Sequence, residues 1–444
     1  MNNLELDSNS NKDSHSNKDS HSNKDSHSNK DSDTESSSSK SSEGSNVSTS
    51  SDDVYHHSEN LDLTSKILNK YNIINEIGKG ADAIVWLAYN VEDYKFYAIK
   101  VNEPNEYKKG LEEFKFLKKL PKIQVFNQLK DNFIEQRENK KYACGVFELQ
   151  TGNLDSLVRK SELENGLPVK IVKKMMMQLF QAIKFLHQKL HVYHADIKTD
   201  NILLKGQNNF DKKIIEQYTS HNFKEKYLEL KKEYLAGEKK ILNLDDKKKI
   251  REIVHKNICE KIEYPEKSEK YKINPNFISN CNVTLSDFGA YCKENEHYES
   301  EFGTRYYRAP EIILMGKSSY AVDIWASGCV FYELLTGRIL FDPEKDSKHS
   351  RDEYHLWWIN SFCGDFSIKF LKKTKYWKKY FDSSGKLLNM KSSLGSENLI
   401  KKLLQKYNVL EDIDLIVDLL KGMLEISPTK RFDIDKCIKH PFFS

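Results

Sequence analysis

Strand-forming sequence gives way to helix-forming sequence near Gly152, and this change limits the chain to a strand-rich block followed by a helix-rich one. Before it, residues 71–77 alternate loosely, and residues 84–88, 96–100 and 142–149 are runs of β-branched and aromatic side chains. One segment of this block, residues 111–120, has helical spacing and stops at Pro121. After it, residues 171–190 place Met176, Leu179, Phe180, Ile183 and Leu186 on one helical face. Helical sequence dominates again from about Ser319 to the end. The expected fold class is α+β and bilobal: a small antiparallel-sheet lobe with one main helix over about 65–149, and a larger, mainly helical lobe over about 150–444.

Residues 1–60 belong to neither block. The unit Asn-Lys-Asp-Ser-His-Ser repeats from Asn11, three times in full and once in part, and serine-rich sequence continues to Ser51. Five lysines and twelve acids give this stretch a net charge of −7. It has too little apolar surface to offset its ordering entropy, so a disordered tail is expected. A period of six is too short for a solenoid unit. The serines read either as phosphorylation sites or as a neutral repeat expansion. The remaining residues carry +11, which suits phosphate-rich ligands or is ordinary surface charge.

The seven cysteines are scattered, odd in number and without a C-x-x-C pair, which argues against a disulfide framework or zinc site. No stretch approaches the ~18 apolar residues of a membrane span. The expectation is an intracellular monomer of the cytoplasm or nucleus (of a host cell, if the source is viral), without direct nucleic-acid or membrane partners.

Chemistry concentrates in the run His-Ala-Asp-Ile-Lys-Thr-Asp-Asn-Ile-Leu-Leu at 194–204. Phosphoryl transfer from ATP needs a group to accept a hydroxyl proton, a cation for the moving phosphate and a magnesium ligand. Asp196, Lys198 and Asn201 supply these three types at short fixed spacing. Upstream, Ile77, Gly78, Lys79, Gly80, Ala81, Asp82, Ala83, Ile84 and Val85 form a strand–turn–strand whose glycines let backbone amides approach phosphates. Lys100 ends the next strand and can pair with the α- and β-phosphates. Asp287, in Ser-Asp-Phe-Gly after the strand-like 282–285, is a second candidate magnesium ligand.

These motifs resemble those of the eukaryotic-type protein kinases, with two departures: Ala195 stands where H-R-D has Arg, and Ala83 replaces the third glycine of the phosphate loop. The resemblance implies ATP and Mg2+ as cofactors and a helix carboxylate for Lys100. Glu113 fits the family register, and Glu112 is its competitor. It also implies that Glu148 and Leu149 border the adenine. Gly303 to Glu311 resembles the T-R-Y-Y-R-A-P-E segment of the CMGC group, which implies Thr304 beside Asp196 and Lys198, serine/threonine specificity, and a Glu311–Arg431 ion pair. Asp323 is expected to hold the catalytic loop through its backbone.

Three features resemble the SR-protein kinases: the missing H-R-D arginine, an insertion at about 205–280 in the place of that family's spacer, and a C-lobe insert spanning 340–343, 350–355 and 376–387. Helices are expected near 222–240 and 245–260 of the insertion. The Asp-Phe-Gly and Tyr-Arg-Ala-Pro-Glu motifs are nearer the DYRK and CLK branches. Protein substrates, basic or Arg/Ser-rich ones among them, are the implied partners. Asp352 and Glu353 read either as a docking groove for such substrates or as surface helix acids. Alanine at 195 cannot hold an activation-loop phosphate, so activity without an activating kinase is expected. Two other readings are an interaction scaffold that has lost catalysis and a small-molecule kinase. The first would require loss of Lys100, Asp196, Asn201 or Asp287, all of which are present. The Thr304–Glu311 segment disfavours the second.

Overall fold

The first part of the described chain is an antiparallel sheet of six strands: β1 (Ile67–Leu68), β2 (Tyr71–Lys79), β3 (Ala83–Asn90), β4 (Phe96–Asn102), β5 (Leu129–Arg137) and β6 (Lys140–Glu148). Their order is β1-β2-β3-β4-β6-β5. The computed structural model describes residues 61–159, 161, 163–205, 209–237, 241–264, 275–294, 296, 302–390 and 399–444. The expected tail at 1–60 and three stretches of the expected insertion lie outside these residues.

Strand periodicity sorts the sheet's two faces. Ile73, Ile84, Trp86, Ile99, Val101, Cys144 and Val146 pack together on one. The helix α1 (Tyr107–Leu117) packs on the other, towards which Lys100 points between Ile99 and Val101. Two glycines let α1 come close. A Cβ on Gly145 would lie 2.5 Å from the Phe114 ring, and one on Gly110 would lie 2.7 Å from the Asn102 side chain. Removing both side chains brings Glu113, on the inner face of α1, within reach of Lys100.

The second half continues with β7 (Gly152–Asn153), α2 (Leu154–Arg159), α3 (Val169–Phe185), β8 (Val192–Tyr193) and β9 (Ile202–Lys205). Four helices follow: α4 (Asn209–Ser220), α5 (Phe223–Ala236), α6 (Leu244–Cys259) and α7 (Pro275–Asn280). Then come β10 (Asn282–Leu285), β11 (Cys292–Lys293), α8 (Pro310–Ile313), α9 (Ala321–Thr336), α10 (Arg351–Cys363), α11 (Ile368–Leu371) and α12 (Trp377–Tyr380). The chain ends on α13 (Leu399–Lys406), α14 (Ile413–Met423) and α15 (Ile434–Ile438). Helix α9 is buried from Val322 to Thr336 and forms the centre of this half. Among the described residues, no helix is long and apolar enough to cross a membrane.

β9 and β10 pair antiparallel with Ile202 opposite Leu285. Ser286 N then donates to Asn201 O at 2.9 Å, so the ends of the two strands set Asn201 and Asp287 side by side.

The insertion holds more helix than its sequence suggested. Besides α5 and α6, near the two expected positions, it contains α4 and α7. The apolar residues of α4 have meaning only against a partner, and that partner is the sheet. Ile214, Tyr218 and Phe223 pack with Val254 and Ile258 onto Ile74, Leu87 and Tyr89 of β2 and β3. Polar contacts fix the register: Asn72 Nδ2 donates to Tyr218 OH (3.0 Å), Arg251 Nε to Asn72 Oδ1 (2.7 Å) and His255 Nε2 to Ile73 O (2.9 Å). Burial keeps the His255 imidazole neutral, its pKa pushed down to about 4.

Candidate active site

Lys100 sits in β4 opposite Val85 of β3 and Gly145 of β6. Its Nζ lies 2.8 Å from Glu113 Oε2, 3.1 Å from Glu113 Oε1 and 2.8 Å from Asp287 Oδ1. Glu113 Oε1 also accepts the Phe288 amide at 3.2 Å. Glu112, one residue earlier, is exposed. Burial works against the Lys100 charge, but Asp287 and Glu113 outweigh it and hold the amine protonated, its pKa above the usual lysine range. The same ammonium holds the Asp287 carboxylate well below its usual range. One side-chain triangle thus joins β4, α1 and the segment after β10.

The phosphate-loop residues lie where β2 turns into β3. Gly78 pairs with Val85 and Lys79 with Ile84, and Gly80 N donates to Ala83 O at 2.9 Å. Ala83 is buried, so a methyl group fills the place of the third glycine. Asp82 at the tip reaches Lys109 Nζ at 2.5 Å, on the helix that carries Glu113. Ile77 and Leu149 are partly buried against the insertion's apolar cluster, and the exposed Glu148 ends β6.

Residues of the 194–204 run meet the 303–311 segment. Thr304 Oγ1 donates to Asp196 Oδ1 at 2.8 Å, and Thr304 N donates to the same oxygen at 2.9 Å. Lys198 Nζ donates to Thr304 Oγ1 at 2.8 Å and lies 3.2 Å from Asp196 Oδ2. Asn201 Nδ2 donates to Asp196 O and Oδ2 at 2.8 and 3.1 Å. The loop hangs from α9: Asp323 accepts the amides of His194 (2.8 Å) and Ala195 (3.0 Å), and its Oδ2 lies 2.9 Å from His187 Nε2. His194 Nε2 donates to Ser286 O at 3.0 Å, which leaves Nδ1 to accept the Asp196 amide. Ala195 and Asp287 both adopt positive φ, 69° and 61°. Below the loop, Arg431 Nη1 and Nη2 bind Glu311 at 2.8 and 2.9 Å, both side chains buried.

Such an arrangement can orient a hydroxyl against a carboxylate, with an ammonium alongside and two further oxygen ligands nearby.

Residues 71–239 and 272–443 match the protein kinase domain. The chain belongs to the protein kinase family. This kinase is similar to a mimivirus protein (Acanthamoeba polyphaga mimivirus) named as a serine/threonine-protein kinase, with 28% identity over 89% of this chain and 91% of the relative. It is also similar to the serine/threonine-protein kinase SRPK of Physarum polycephalum, at 26% identity over 85% and 86% of the two chains. SRSF protein kinase 3 of Mus musculus shares 22% over 84% and 86%. The stretch that the kinase-domain match skips, 240–271, falls inside the insertion.

The kinase holds contacts that sequence reasoning missed. Lys109 precedes Glu113 by four residues, one helical turn, and that spacing alone could have placed it on the same side of the helix. Tyr307 OH donates to Glu333 Oε2 at 2.6 Å and meets Thr199 Oγ1 at 3.0 Å, and Arg159 closes on the other oxygen of Glu333. No local signal marks this cluster, because it gathers residues from four separate elements. Asp352 and Glu353, read as a docking groove or as surface helix acids, both make contacts within the fold. Asp352 accepts Arg305 Nη1 (2.7 Å) and Tyr380 OH (3.0 Å). Glu353 closes the capping box of α10 with Ser350 and accepts Asn389 Nδ2 at 2.7 Å.

Proposed function

We propose that this protein kinase transfers the γ-phosphoryl group of ATP to serine and threonine hydroxyls of protein substrates. The observation that carries the reading is the pairing of an Asp196–Thr304–Lys198 contact with a closed Lys100–Glu113–Asp287 triangle. Asp196 takes the proton of the substrate hydroxyl. Lys198 offsets charge on the transferred phosphoryl group, and Thr304 fixes both side chains. Lys100 binds the α- and β-phosphates, oriented by Glu113. Residues 77–85 cover the phosphates with backbone amides, and Glu148 and Leu149 border the adenine. Rate comes mainly from positioning and electrostatics.

The site fits a magnesium ion carried in with the nucleotide. Asn201 donates only through Nδ2, so its amide oxygen stays available to a hard cation, and Asp287 keeps one carboxylate oxygen beyond the reach of Lys100. The ion would supply positive charge against the phosphates of the nucleotide. Asn201 and Asp287 would hold it.

The kinase is active without an activating phosphorylation. Ala195 offers no cation for an activation-loop phosphate, and ordinary contacts hold residues 303–308 instead: Thr304 to Asp196, and Arg308 Nε to Gly303 O at 2.9 Å. Substrates rich in Arg and Ser follow from the resemblance to the SR-protein kinases, and the cytoplasm and nucleus are the compartments proposed.

Unphosphorylated recombinant protein, incubated with Mg-ATP and an arrayed serine/threonine peptide library, tests this reading. Wild type is expected to label peptides and Asp196→Ala to label none. Equal labelling by both, or activity that begins only after phosphorylation by another kinase, would sink it. A strict requirement for proline after the phosphosite would remove the Arg/Ser assignment alone.

A further inference from the structure

Between Lys369 and Lys386 the chain carries seven lysines and one acid, Asp382. All seven lysines are exposed, and among the described residues none lies within 4 Å of a carboxylate. Asp382 offsets one of these charges at most, and its Oδ1 accepts the Ser384 hydroxyl and the backbone amides of Ser384 and Lys386 in its own turn. The segment is not a loose loop. Phe370, Leu371, Thr374, Tyr380 and Phe381 are buried beneath it, and Phe366 packs on Phe381 at 4.8 Å between ring centroids. Aromatic faces also hold ammonium groups in place: Lys375 lies 5.4 Å from the Tyr376 ring and Lys379 4.8 Å from that of Tyr380. The positive charge therefore sits on a fixed surface and is not averaged over a mobile chain.

That surface joins the turn after α8, next to the 303–311 segment. Lys375 N donates to Met315 O (3.2 Å) and Tyr376 N to Leu314 O (3.0 Å), immediately after α8. Tyr380 OH and Arg305 of the activation segment share Asp352. Lys317, two residues beyond Met315, is exposed and adds a further cation. Seven exposed lysines within eighteen residues concentrate positive charge that a polyanion lying across them can neutralise.

We infer that the lysine surface at 369–386 is a docking site for a Glu/Asp-rich segment of the protein substrate, separate from the residues around the phosphorylated hydroxyl. The inference rests on the protein-kinase reading for its use in catalysis, and the acidic docking segment is compatible with Arg and Ser around the phosphosite.

The test uses the full chain and two peptides. Each carries a serine site found by the peptide array, joined through a Gly-Ser linker to about eight glutamates or about eight glutamines. At low salt, the Glu-tailed peptide is expected to have a KM about tenfold lower than the Gln-tailed one, with similar kcat. In a variant with Lys372, Lys373, Lys375 and Lys378 all changed to Gln, that advantage disappears, while kcat and the KM of the Gln-tailed peptide stay as in wild type. The same four positions changed to Arg retain it. Binding is read separately by fluorescence anisotropy of the labelled Glu-tailed peptide on Asp196→Ala protein, so a failure of phosphoryl transfer is distinguishable from a failure of docking. Equal KM for the two peptides, an advantage that survives the Lys→Gln changes, or tighter binding of a single-stranded RNA than of the Glu-tailed peptide would each overturn the inference.

Discussion

The Thr304 hydroxyl donates a hydrogen bond to Asp196 and accepts one from Lys198, each at 2.8 Å. One small side chain therefore fixes the spacing between the proposed proton acceptor and its neighbouring cation. Thr304→Val keeps the shape but removes both hydrogen bonds. Because a 1 Å misplacement can cost about 10²-fold in rate, kcat is expected to fall by that order, with the KM for ATP little changed. Thr304→Ser should stay close to wild type. Steady-state kinetics on one array peptide reads all three proteins, and an unchanged kcat in the valine variant would count against the role given to Thr304.

Glu113 and Glu112 are neighbours on α1, but only Glu113 is buried and bonded to Lys100. Glu113→Gln is expected to lower kcat/KM for ATP by about 10²-fold, because it releases a desolvated ammonium from its partner. Glu112→Gln should leave the kinetics unchanged. Reversal of this pattern would reassign the lysine's partner.

The Asp82–Lys109 pair ties the tip of the phosphate loop to α1, with both side chains about half exposed. Such a pair is worth about 0.2–1 kcal/mol. Asp82→Asn should therefore raise the KM for ATP by about 1.4- to fivefold. The reversed pair Asp82→Lys/Lys109→Asp should restore it, and high salt should mask the whole effect. A KM unaffected by Asp82→Asn at low salt would mean the tip is held by its backbone alone.

Two ion pairs of the helical half contrast in stability. Glu311–Arg431 is buried, so Glu311→Gln leaves an uncompensated charge and should cost about 3–5 kcal/mol. Lys401–Asp414 lies at the surface, and Asp414→Asn should change stability by at most ~0.5 kcal/mol. Urea unfolding midpoints compare the two directly, and equal losses would contradict the burial argument.

Glu333 predicts a pH dependence. Burial raises its pKa to about 7, against the pull of Tyr307 and Arg159. An unfolded glutamate titrates near 4.3. In the window between these values the folded state keeps the proton and the unfolded state has lost it, so this group's contribution to stability falls as pH rises. The loss by pH 7 is roughly 1–3 kcal/mol. Glu333→Gln should flatten stability between about pH 4.5 and 7 relative to wild type. Thermal unfolding across that range measures it, and identical slopes for both proteins would refute the titration.

Much of the site was legible because each motif is local. Asp196, Lys198 and Asn201 lie within six residues, and a loop that short can present them in few arrangements. The preference for Glu113 over Glu112 comes from the resemblance to the family register, with Glu112 as its competitor. The Arg159–Glu333–Tyr307–Thr199 cluster was not legible, since its members come from four elements with no shared spacing. Nor was the insertion's place. The apolar residues of α4 look like an unremarkable helix face until Ile74, Leu87 and Tyr89 are set against them.

By itself the sequence determined which chemical groups exist, in what order, and the strand and helix periods that divide the chain into a sheet part and a helical part. Those depend on side-chain type and on spacings of a few residues. Tertiary structure decided which groups meet. Lys100 and Asp287 stand 187 positions apart, yet their charged atoms are 2.8 Å from each other. Gly145 admits Phe114, and the β9–β10 register aligns Asn201 with Asp287. Tertiary structure also decided the use of charge: the acids Asp352 and Glu353 are held within the fold, and the lysines of 369–386 are left facing water. Long-range pairing of this kind is set by packing, which no local window of sequence contains.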